Sequence, residues 1–197
     1  MKYWFTSDLH IGHANCLALS NRPFNDIVAH DCALVNNHNS VVGPKDTVYD
    51  FGDIGFRCSP DYVVKFLERM NGNRILILGN HDKAIRQAYK RGLLKKLIAT
   101  GKLTIVGGEA VINDQSLAIS KTISIDGQRI YMSHYSSRSW PGAFRGTWHL
   151  YGHSHNNLPG IYKSMDVGVD TNNYFPWSFD DIKAHMDLIK EDFSEKT

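Results

Sequence analysis

The feature that most constrains this chain is a set of short polar motifs, each placed directly after a run of residues typical of a β-strand. Ten histidines occur in 197 residues, and several of them fall within these motifs. Because ligands of layered α/β folds gather at the carboxyl ends of strands, we expect the motifs to converge on one edge of the fold. They are Asp8-Leu9-His10, Gly52-Asp53, Gly79-Asn80-His81-Asp82, Ser133-His134-Tyr135 and Gly152-His153-Ser154-His155.

The first half of the chain alternates between strand and helix patterns. Strands are predicted where short β-branched, aliphatic or aromatic runs end in polar residues, at 3–6, 47–49 and 75–78. Helices are predicted from Ile27, where apolar residues recur every seven positions to Val42, from Pro60 after the N-cap Ser59 to Met70, and over 83–90. This order predicts a βαβαβ arrangement with a parallel sheet.

The second half of the chain changes to a pattern typical of hairpins. Residues 122–125 alternate in polarity, Asp126-Gly127 supplies a tight turn, and 129–132 resume the β pattern. Ser178 with Asp181 forms a capping box for a last helix to about Lys190. We therefore predict an antiparallel second half and a layered α/β sandwich with helices covering the sheets, in a single domain over 1–197.

Composition narrows the class of protein. The net charge of +2 and pI near 8.4 are too small to indicate a nucleic-acid-binding surface. The three cysteines lack CxxC spacing, which favours a reducing compartment over disulfides or thiolate metal sites. A charged residue follows soon after the start, and no apolar run approaches the roughly 18 residues of a membrane span. We expect a soluble, cytoplasmic protein without a membrane partner.

The motifs offer carboxylate and amide oxygens and imidazole nitrogens, and no thiolate. Such donors suit catalytic divalent ions better than structural zinc, and manganese is the expected ion, with iron, zinc or nickel as alternatives. In extended backbone, the two outer residues of Asp8-Leu9-His10 and of His153-Ser154-His155 would share a face and chelate an ion.

Together, the five ordered motifs resemble those of the calcineurin-like metallophosphoesterase superfamily, most closely its small bacterial and phage members. The resemblance covers roughly 3–170 and implies a four-layer sandwich of mixed sheets flanked by helices, with two divalent metal ions. It implies that Asp53 bridges the ions. One ion would then be held by Asp8, His10, Asp53 and His155, and the other by Asp53, Asn80, His134 and His153.

The resemblance also implies the reaction, which is hydrolysis of a phosphoester by a hydroxide that bridges the metals. His81 would protonate the leaving oxygen or steady the phosphoryl oxygens, and Asp82 would either orient the His81 ring or cap the following helix. A phosphodiester of a nucleotide or nucleic acid is the expected substrate. The alternatives are a phosphomonoester of a small molecule or phosphoprotein, and a non-catalytic metal-binding interaction module.

Five further residues are candidates for substrate binding. His13 and Arg57 follow the first and second motifs, whereas Arg138, Trp140 and His149 belong to an arginine- and tryptophan-containing loop after His134. That loop could hold a phosphate and stack a base, so single-stranded nucleic acid is a possible partner. The simpler interpretation is a surface histidine at a helix entry, an exposed arginine and a loop of packed aromatic residues. The sequence does not predict an oligomeric state.

Overall fold

A computed structural model describes residues 1–190, which form two β-sheets with helices packed against them. The strands are β1 (Tyr3–Thr6), β2 (Thr47–Asp50), β3 (Asn73–Leu76), β4 (Leu103–Ile105), β5 (Ser120–Ile125), β6 (Gln128–Ser133), β7 (Trp148–Tyr151), β8 (Ser164–Asp166) and β9 (Trp177–Ser178). The α-helices are α1 (Ala14–Leu19), α2 (Ile27–Val41), α3 (Pro60–Arg69), α4 (Lys83–Lys90), α5 (Lys95–Ala99), α6 (Gly108–Asn113) and α7 (Phe179–Leu188).

The first sheet has the strand order β4-β3-β2-β1-β9. Strands β1 to β4 run parallel, as the alternating pattern predicts, and β9 adds an antiparallel edge. Strand β3 lies two residues earlier than the predicted 75–78. Ile77 and Leu78 are buried beyond the last paired residue, because the chain continues through the core towards the following loop.

The second sheet, with the order β5-β6-β7-β8, corrects the prediction of an antiparallel second half. Only β5 and β6 form the predicted hairpin, in which Asp126 and Gly127 both have positive φ. Strand β7 is parallel to β6, and β8 is parallel to β7. The physical reason is the long connection between β6 and β7. It carries the chain back across the length of the sheet, so that β7 starts at the same end as β6 and runs parallel to it.

Two apolar clusters define the layers. The larger one fills the space between the first sheet and helices α2 to α6. The other lies between the two sheets and combines Phe5 and Phe51 with Ile130 and Leu150. Among the fully buried helical residues at 1–190, only those of α7 join this inter-sheet cluster. The fold is therefore mixed α/β, with two mixed sheets flanked by helices. Within residues 1–190, no helix has both the length and the apolar character needed to cross a membrane.

Helix α2 differs from its prediction in the face that it buries. The sevenfold apolar spacing predicts a buried stripe, yet Val28 is 66% exposed and Val41 37% exposed. Leu34 and Val35 are buried, together with the polar residues His30, Asp31 and His38. Polar side chains occupy the inward face because each finds a hydrogen-bond partner there.

The buried His38 gives a prediction for acid stability. Its Nε2 lies 3.0 Å from the carbonyl oxygen of Asn71, and burial lowers the pKa of His38 to about 3. Between that pKa and the unfolded value near 6.5, the unfolded chain binds more protons, so stability falls as pH falls through this window. We expect His38→Gln to reduce the slope of the free energy of unfolding against pH by up to about 1.4 kcal/mol per pH unit. Urea unfolding from pH 7.5 to 4.5 measures the slope. His185→Gln, at an exposed site of α7, should leave the slope unchanged, and equal slopes for both variants would contradict the prediction.

Candidate metal centre

The polar motifs converge on one edge of the fold, as their positions after strands predict. Loops after β1, β2 and β3 of the first sheet meet loops after β6 and β7 of the second sheet. His134 Nε2 lies 2.9 Å from Asn80 Oδ1 and 3.5 Å from Asp53 Oδ2. His10 Nε2 lies 3.7 Å from the same oxygen of Asp53. The carboxylate of Asp53 therefore lies between His10, from the start of the sequence, and His134, from its second half.

The donor atoms fall into two compact groups. Within each group, one donor atom per residue lies within 4.8 Å of the others. The groups are Asp8, His10 and His155, and Asp53, His134 and His153. Asn80 joins the second group through its contact with His134, and Asp53 contacts the first group through His10. This grouping of side chains is the division that the sequence resemblance implies.

The backbone of the motifs is not extended, which corrects the proposed reason for chelation. Asp8, His10, Asp53, His153 and His155 all have positive φ, between 47° and 69°. This left-handed region costs a residue other than glycine roughly 1 to 3 kcal/mol. His153 and His155 also point to different groups rather than to a common one. Five of the seven candidate ligands thus adopt a backbone conformation that persists only where the surrounding structure enforces it.

Two glycines allow the motifs to approach each other closely. A Cβ at Gly79 would lie 2.7 Å from His134 Cε1 and would overlap the carboxylate of Asp53. A Cβ at Gly152 would lie 2.6 Å from Asp8 Oδ2. Any side chain at these positions would push donor atoms apart, so the glycines set the spacing within the site.

The donor set fits a cation by an independent criterion. Within residues 1–190, three buried side-chain atoms lack a hydrogen-bond partner, and two of them are Asp8 Oδ1 and His10 Nε2. An unsatisfied buried polar atom is costly, and such atoms normally mark a bound ion, water or functional strain. Burial raises the pKa of Asp8 to about 7 and lowers the pKa of His10 to about 3. A divalent ion would satisfy both atoms and stabilise the charged form of Asp8.

In the second group, His134 and Asp53 compensate each other's charge. Burial alone would raise the pKa of Asp53, but the hydrogen bond and charge of His134 lower it to about 2. Burial alone would lower the pKa of His134, but the hydrogen bond and charge of Asp53 raise it to about 9. The His134 imidazolium supplies the positive charge beside Asp53. Metal binding to this group would release a proton from the His134 ring.

Hydrogen bonds fix which nitrogen each histidine presents. His134 Nδ1 lies 2.7 Å from the carbonyl oxygen of Phe51, and His155 Nδ1 lies 2.7 Å from Asp170 Oδ2. Each Nδ1 donates to its oxygen, so Nε2 is the nitrogen that would bind an ion once any proton on it is released. Such outer partners orient the rings of metal-binding histidines and raise their basicity.

Arg22 was not predicted as a site residue, although its side chain organises the first group. Its Nε and Nη2 donate to the two carboxylate oxygens of Asp170 at 2.8 and 2.7 Å. Its Nη1 and Nη2 also donate to the carbonyl oxygens of Leu9 and Asp8 at 2.9 and 2.7 Å. Arg22 is only 4% exposed, so one buried guanidinium connects the backbone of the first motif to the partner of His155.

A buried chain of polar contacts continues from Arg22 into α2. Arg22 Nη1 lies 2.8 Å from His30 Nε2, and His30 Nδ1 lies 2.7 Å from Asp31 Oδ1. The other oxygen of Asp31 accepts from the Gly12 N–H at 2.9 Å and the Tyr62 hydroxyl at 2.6 Å. The adjacent His30-Asp31 on the inward face of α2 was the one sequence feature that pointed to this network.

The pair of Asp170 with His155 gives a prediction about metal affinity. Asp170→Asn removes the carboxylate that orients the ring and pairs with Arg22, so we expect metal affinity to fall about 10- to 100-fold. Competition with a fluorescent chelator measures the affinity. Asp187→Asn, which breaks the exposed ion pair with Lys183, is the matched control and should change nothing. Equal affinities for the two variants would contradict the positioning role.

Asp82 has partners other than the predicted ones. Its Oδ2 accepts from the backbone N–H groups of Asp53 and Gly79 at 2.9 and 2.8 Å, and its Oδ1 accepts from Ile54 N–H at 2.9 Å. Within residues 1–190, the side chain makes no cap hydrogen bond to α4 and no hydrogen bond to the His81 ring, so its placement matches neither predicted role. Asp82 instead ties the loop after β2 to the loop after β3.

His81 lies at the rim of the two groups. Its backbone N–H donates to Asp53 Oδ1 at 2.8 Å, while its half-exposed ring packs edge-on against Phe56 at 4.5 Å. The ring centroid is 5.5 Å from that of His10. The side chain belongs to neither donor group, which is the placement that a proton donor to a bound substrate requires.

Of the remaining substrate-binding candidates, His13 and Arg57 lie beside this rim. His13 Nδ1 is 3.3 Å from His10 Nδ1, and its ring packs against Phe56 at 4.4 Å. Arg57 is exposed with its guanidinium 5.2 Å from the Phe56 ring, and it lines a cavity together with His81. Both remain predictions for substrate contact.

The other three candidates do not lie at the site. Trp140 is 5% exposed and donates from Nε1 to the Thr147 carbonyl oxygen at 2.7 Å. His149 is fully buried, accepts from Ser137 N–H at 3.0 Å, and has its pKa lowered to about 4 by burial. Arg138 lines a surface groove that contains none of the candidate ligands. Trp140, Trp148 and His149 are buried, whereas Phe144 of the same loop is 64% exposed. The base-stacking contact predicted for Trp140 is therefore not available.

Tyr135 is the last residue of the Ser133-His134-Tyr135 motif, but it was not predicted as a site residue. Its hydroxyl lies 3.2 Å from Asn80 Oδ1, and its ring lies 4.6 Å from that of His153. At 44% exposure it forms part of the mouth above the second group. Its position directly after His134 was the available signal.

The comparisons with known proteins identify relatives without a described activity. No family model matches the sequence. The chain is 29% identical over 187 residues to the uncharacterized protein MJ1445 of Methanocaldococcus jannaschii, covering 91% of this chain and 88% of that protein. It is 42% identical to the Gene 66 proteins of Mycobacterium phages L5 and D29 over 81 and 83 residues, which span only 39% and 40% of those proteins.

A solved structure supports the fold. The crystal structure of a protein of unknown function, AQ665 from Aquifex aeolicus, aligns with a TM-score of 0.66 over 93% of this chain and 98% of that one. The sequence identity is 22%, so the likeness concerns the fold alone. The chain is thus similar in sequence to an archaeal protein and two phage proteins, and similar in fold to a bacterial one.

Proposed function

We propose that this chain is a dinuclear-metal-dependent phosphoesterase of the calcineurin-like metallophosphoesterase superfamily, acting on a phosphodiester of a nucleotide or nucleic acid. The observation that carries the proposal is the pair of donor groups that meet at Asp53, with the buried Asp8 Oδ1 and His10 Nε2 lacking any protein partner. The diester and its nucleotide character rest on the resemblance of the motifs.

The donor set supports borderline divalent ions. One ion would be held by Asp8, His10 and His155 with Asp53, and the other by Asp53, Asn80, His134 and His153. Oxygen and imidazole donors without thiolate favour manganese, with iron, zinc or nickel as alternatives. Bound there, such ions supply Lewis acidity to a phosphate group and lower the pKa of water.

The protein groups around the donors have defined roles. Asp170 and the Phe51 carbonyl hold the Nδ1 protons of His155 and His134, so that Nε2 is the nitrogen that would bind an ion. Asp82 keeps the loops of Asp53 and Gly79 in register. His81, at the rim, donates a proton from its ring to the leaving oxygen of the ester.

A direct test uses two chromogenic esters. The protein, stripped of metal and reloaded with Mn²⁺, should hydrolyse bis-p-nitrophenyl phosphate, and the same protein in EDTA should not. Faster turnover of p-nitrophenyl phosphate than of the diester would replace the diesterase proposal by a phosphomonoesterase. A metal-replete protein that is inert on both esters would favour a non-catalytic metal-binding module.

Metal binding should also stabilise the fold. A ligand at 100 times its Kd adds about 2.7 kcal/mol per site, which for a chain of this size raises Tm by roughly 5 to 10 °C. We therefore expect Mn²⁺ to raise Tm of the stripped protein by at least this amount, with two ions per chain by elemental analysis. Differential scanning fluorimetry across Mn²⁺ concentrations measures the shift. A Tm that does not change with Mn²⁺ would contradict the occupancy of this centre.

A further inference from the structure

A cavity of about 230 Å³ adjoins the second donor group. Two candidate metal ligands, Asn80 and His134, form part of its wall, and the Arg86 side chain of α4 forms another part. Residues with hydroxyl groups contribute much of the remaining lining. They are Ser116, Ser120, Ser133, Ser137, Tyr131 and Tyr135. A group bound here would sit directly beside a substrate at the metal centre.

Arg86 is a buried cation with little compensation. It is 6% exposed, and its one side-chain hydrogen bond among residues 1–190 is a long contact of 3.5 Å from Nη1 to the Asp114 carbonyl oxygen. It takes part in no ion pair among residues 1–190, whereas the other two buried arginines, Arg22 and Arg74, each pair with a buried aspartate. Because buried charges are normally paired, most of the five N–H donors of Arg86 remain available for an anion.

The two nearest carboxylates accept hydrogen bonds from other donors, and neither forms an ion pair with Arg86 within residues 1–190. Asp82 uses both oxygens to accept backbone N–H groups, and Asp114 Oδ1 accepts from the N–H and hydroxyl of Ser116 at 2.8 and 2.6 Å. Burial lowers the pKa of Arg86, although the charges of Asp82 and Asp114 oppose this change. The guanidinium thus faces a hydroxyl-lined cavity without a carboxylate of its own.

We propose that Arg86 binds a second phosphate group of the substrate in this cavity, while the scissile ester lies at the metal centre beside Asn80 and His134. The proposal rests on the proposed phosphoesterase function and narrows its substrate class to nucleotides that carry an additional phosphate. The planar guanidinium matches two oxygens of a phosphate. The hydroxyl groups of Ser120, Tyr131 and Ser137, which also line the cavity, can donate to the other oxygens.

A matched pair of chromogenic substrates tests the proposal. The two are thymidine 5′-(p-nitrophenyl phosphate) and the same compound with a 3′-phosphate. We expect the Mn²⁺-loaded protein to prefer the 3′-phosphorylated ester about 10- to 150-fold in kcat/KM, the range of a hydrogen bond to a charged group. Arg86→Gln should remove most of this preference while its activity on the unphosphorylated ester stays within about threefold.

Two control variants separate charge from geometry and from surface effects. Arg86→Lys keeps the positive charge but loses the planar set of N–H groups that can bind two phosphate oxygens at once. This variant should retain only part of the preference for the 3′-phosphorylated ester. Arg91→Gln, at an exposed ion pair with Asp61 just beyond α4, should keep all of it. No preference in the wild-type protein, or the same preference in Arg86→Gln, would overturn the proposal.

A binding measurement separates this proposal from the proposed function. If neither ester is turned over, the phosphoesterase assignment fails, and calorimetry with the metal-free protein still tests the cavity. Thymidine 3′,5′-bisphosphate should then bind more tightly than thymidine 5′-monophosphate, and Arg86→Gln should abolish the difference. Equal or undetectable binding of both nucleotides would overturn the role of Arg86.

Discussion

Asp53→Asn is expected to abolish the proposed metal-dependent phosphoesterase activity, with a larger loss than the roughly 100-fold that follows removal of a partner of a ligand histidine. Asp53 Oδ2 lies 3.7 Å from His10 Nε2 and 3.5 Å from His134 Nε2, so this one carboxylate serves both donor groups. An amide offers a single neutral oxygen and cannot supply charge to two ions. Turnover of bis-p-nitrophenyl phosphate and metal content by elemental analysis measure the loss.

The control must show that the fold survives. Thermal unfolding in EDTA should give folded proteins for both wild type and Asp53→Asn, because the side chain accepts only the His81 N–H from the backbone. Asp61→Asn, at an exposed position of α3, should retain full activity. An Asp53→Asn protein that keeps two ions and its activity would eliminate the bridging role.

His81→Asn is expected to lower kcat about 10²- to 10⁴-fold on esters with poor leaving groups, the usual range for loss of a positioned acid. The ring lies at the rim and outside both donor groups, so metal content should stay unchanged. A dinucleotide, whose leaving alkoxide needs a proton, should show the full loss. Bis-p-nitrophenyl phosphate should lose much less, because p-nitrophenolate leaves without protonation.

The ratio of the two losses is the diagnostic quantity. A merely structural role for His81 would lower turnover of both esters equally. His185→Asn, on the exposed surface of α7, provides the matched histidine control and should alter neither rate. Loss of metal from His81→Asn would instead place its ring among the ligands.

Local patterns were sufficient to predict strands β1 to β3 of the first sheet and the starts of α2, α3, α4 and α7. Ser59 accepts from Tyr62 N–H and Ser178 from Asp181 N–H, as their sequence positions predict, since a cap depends on residues three apart. The convergence of Asp8 and Asp53 followed from parallel strands sharing an edge, whereas His134 reaches them from the second sheet. The short elements β4, β7, β8 and β9 were not predicted, because runs of two to four residues carry little periodicity.

Features that depend on distant pairs could not be predicted. Arg22 meets Asp170 from 148 positions away, and neither residue lies in a ligand motif. The positive φ of His10 and His155 reflects tertiary contacts that enforce it, whereas sequence spacing alone suggested extended backbone. Trp140 and His149 resembled a nucleic-acid-binding surface by composition, but packing within their own loop buries them.

Each donor group takes side chains from both sheets. Asp8 and His10 follow β1 while His155 follows β7, and Asp53 follows β2 while His134 follows β6. An ion in either group would therefore act as a cross-link over the seam between the sheets. Separation of the sheets and release of the ions would become a single event, so a cavity-forming substitution in the inter-sheet core, far from any ligand, would weaken ion retention. Chelators would in turn make that seam the first part of the molecule to open.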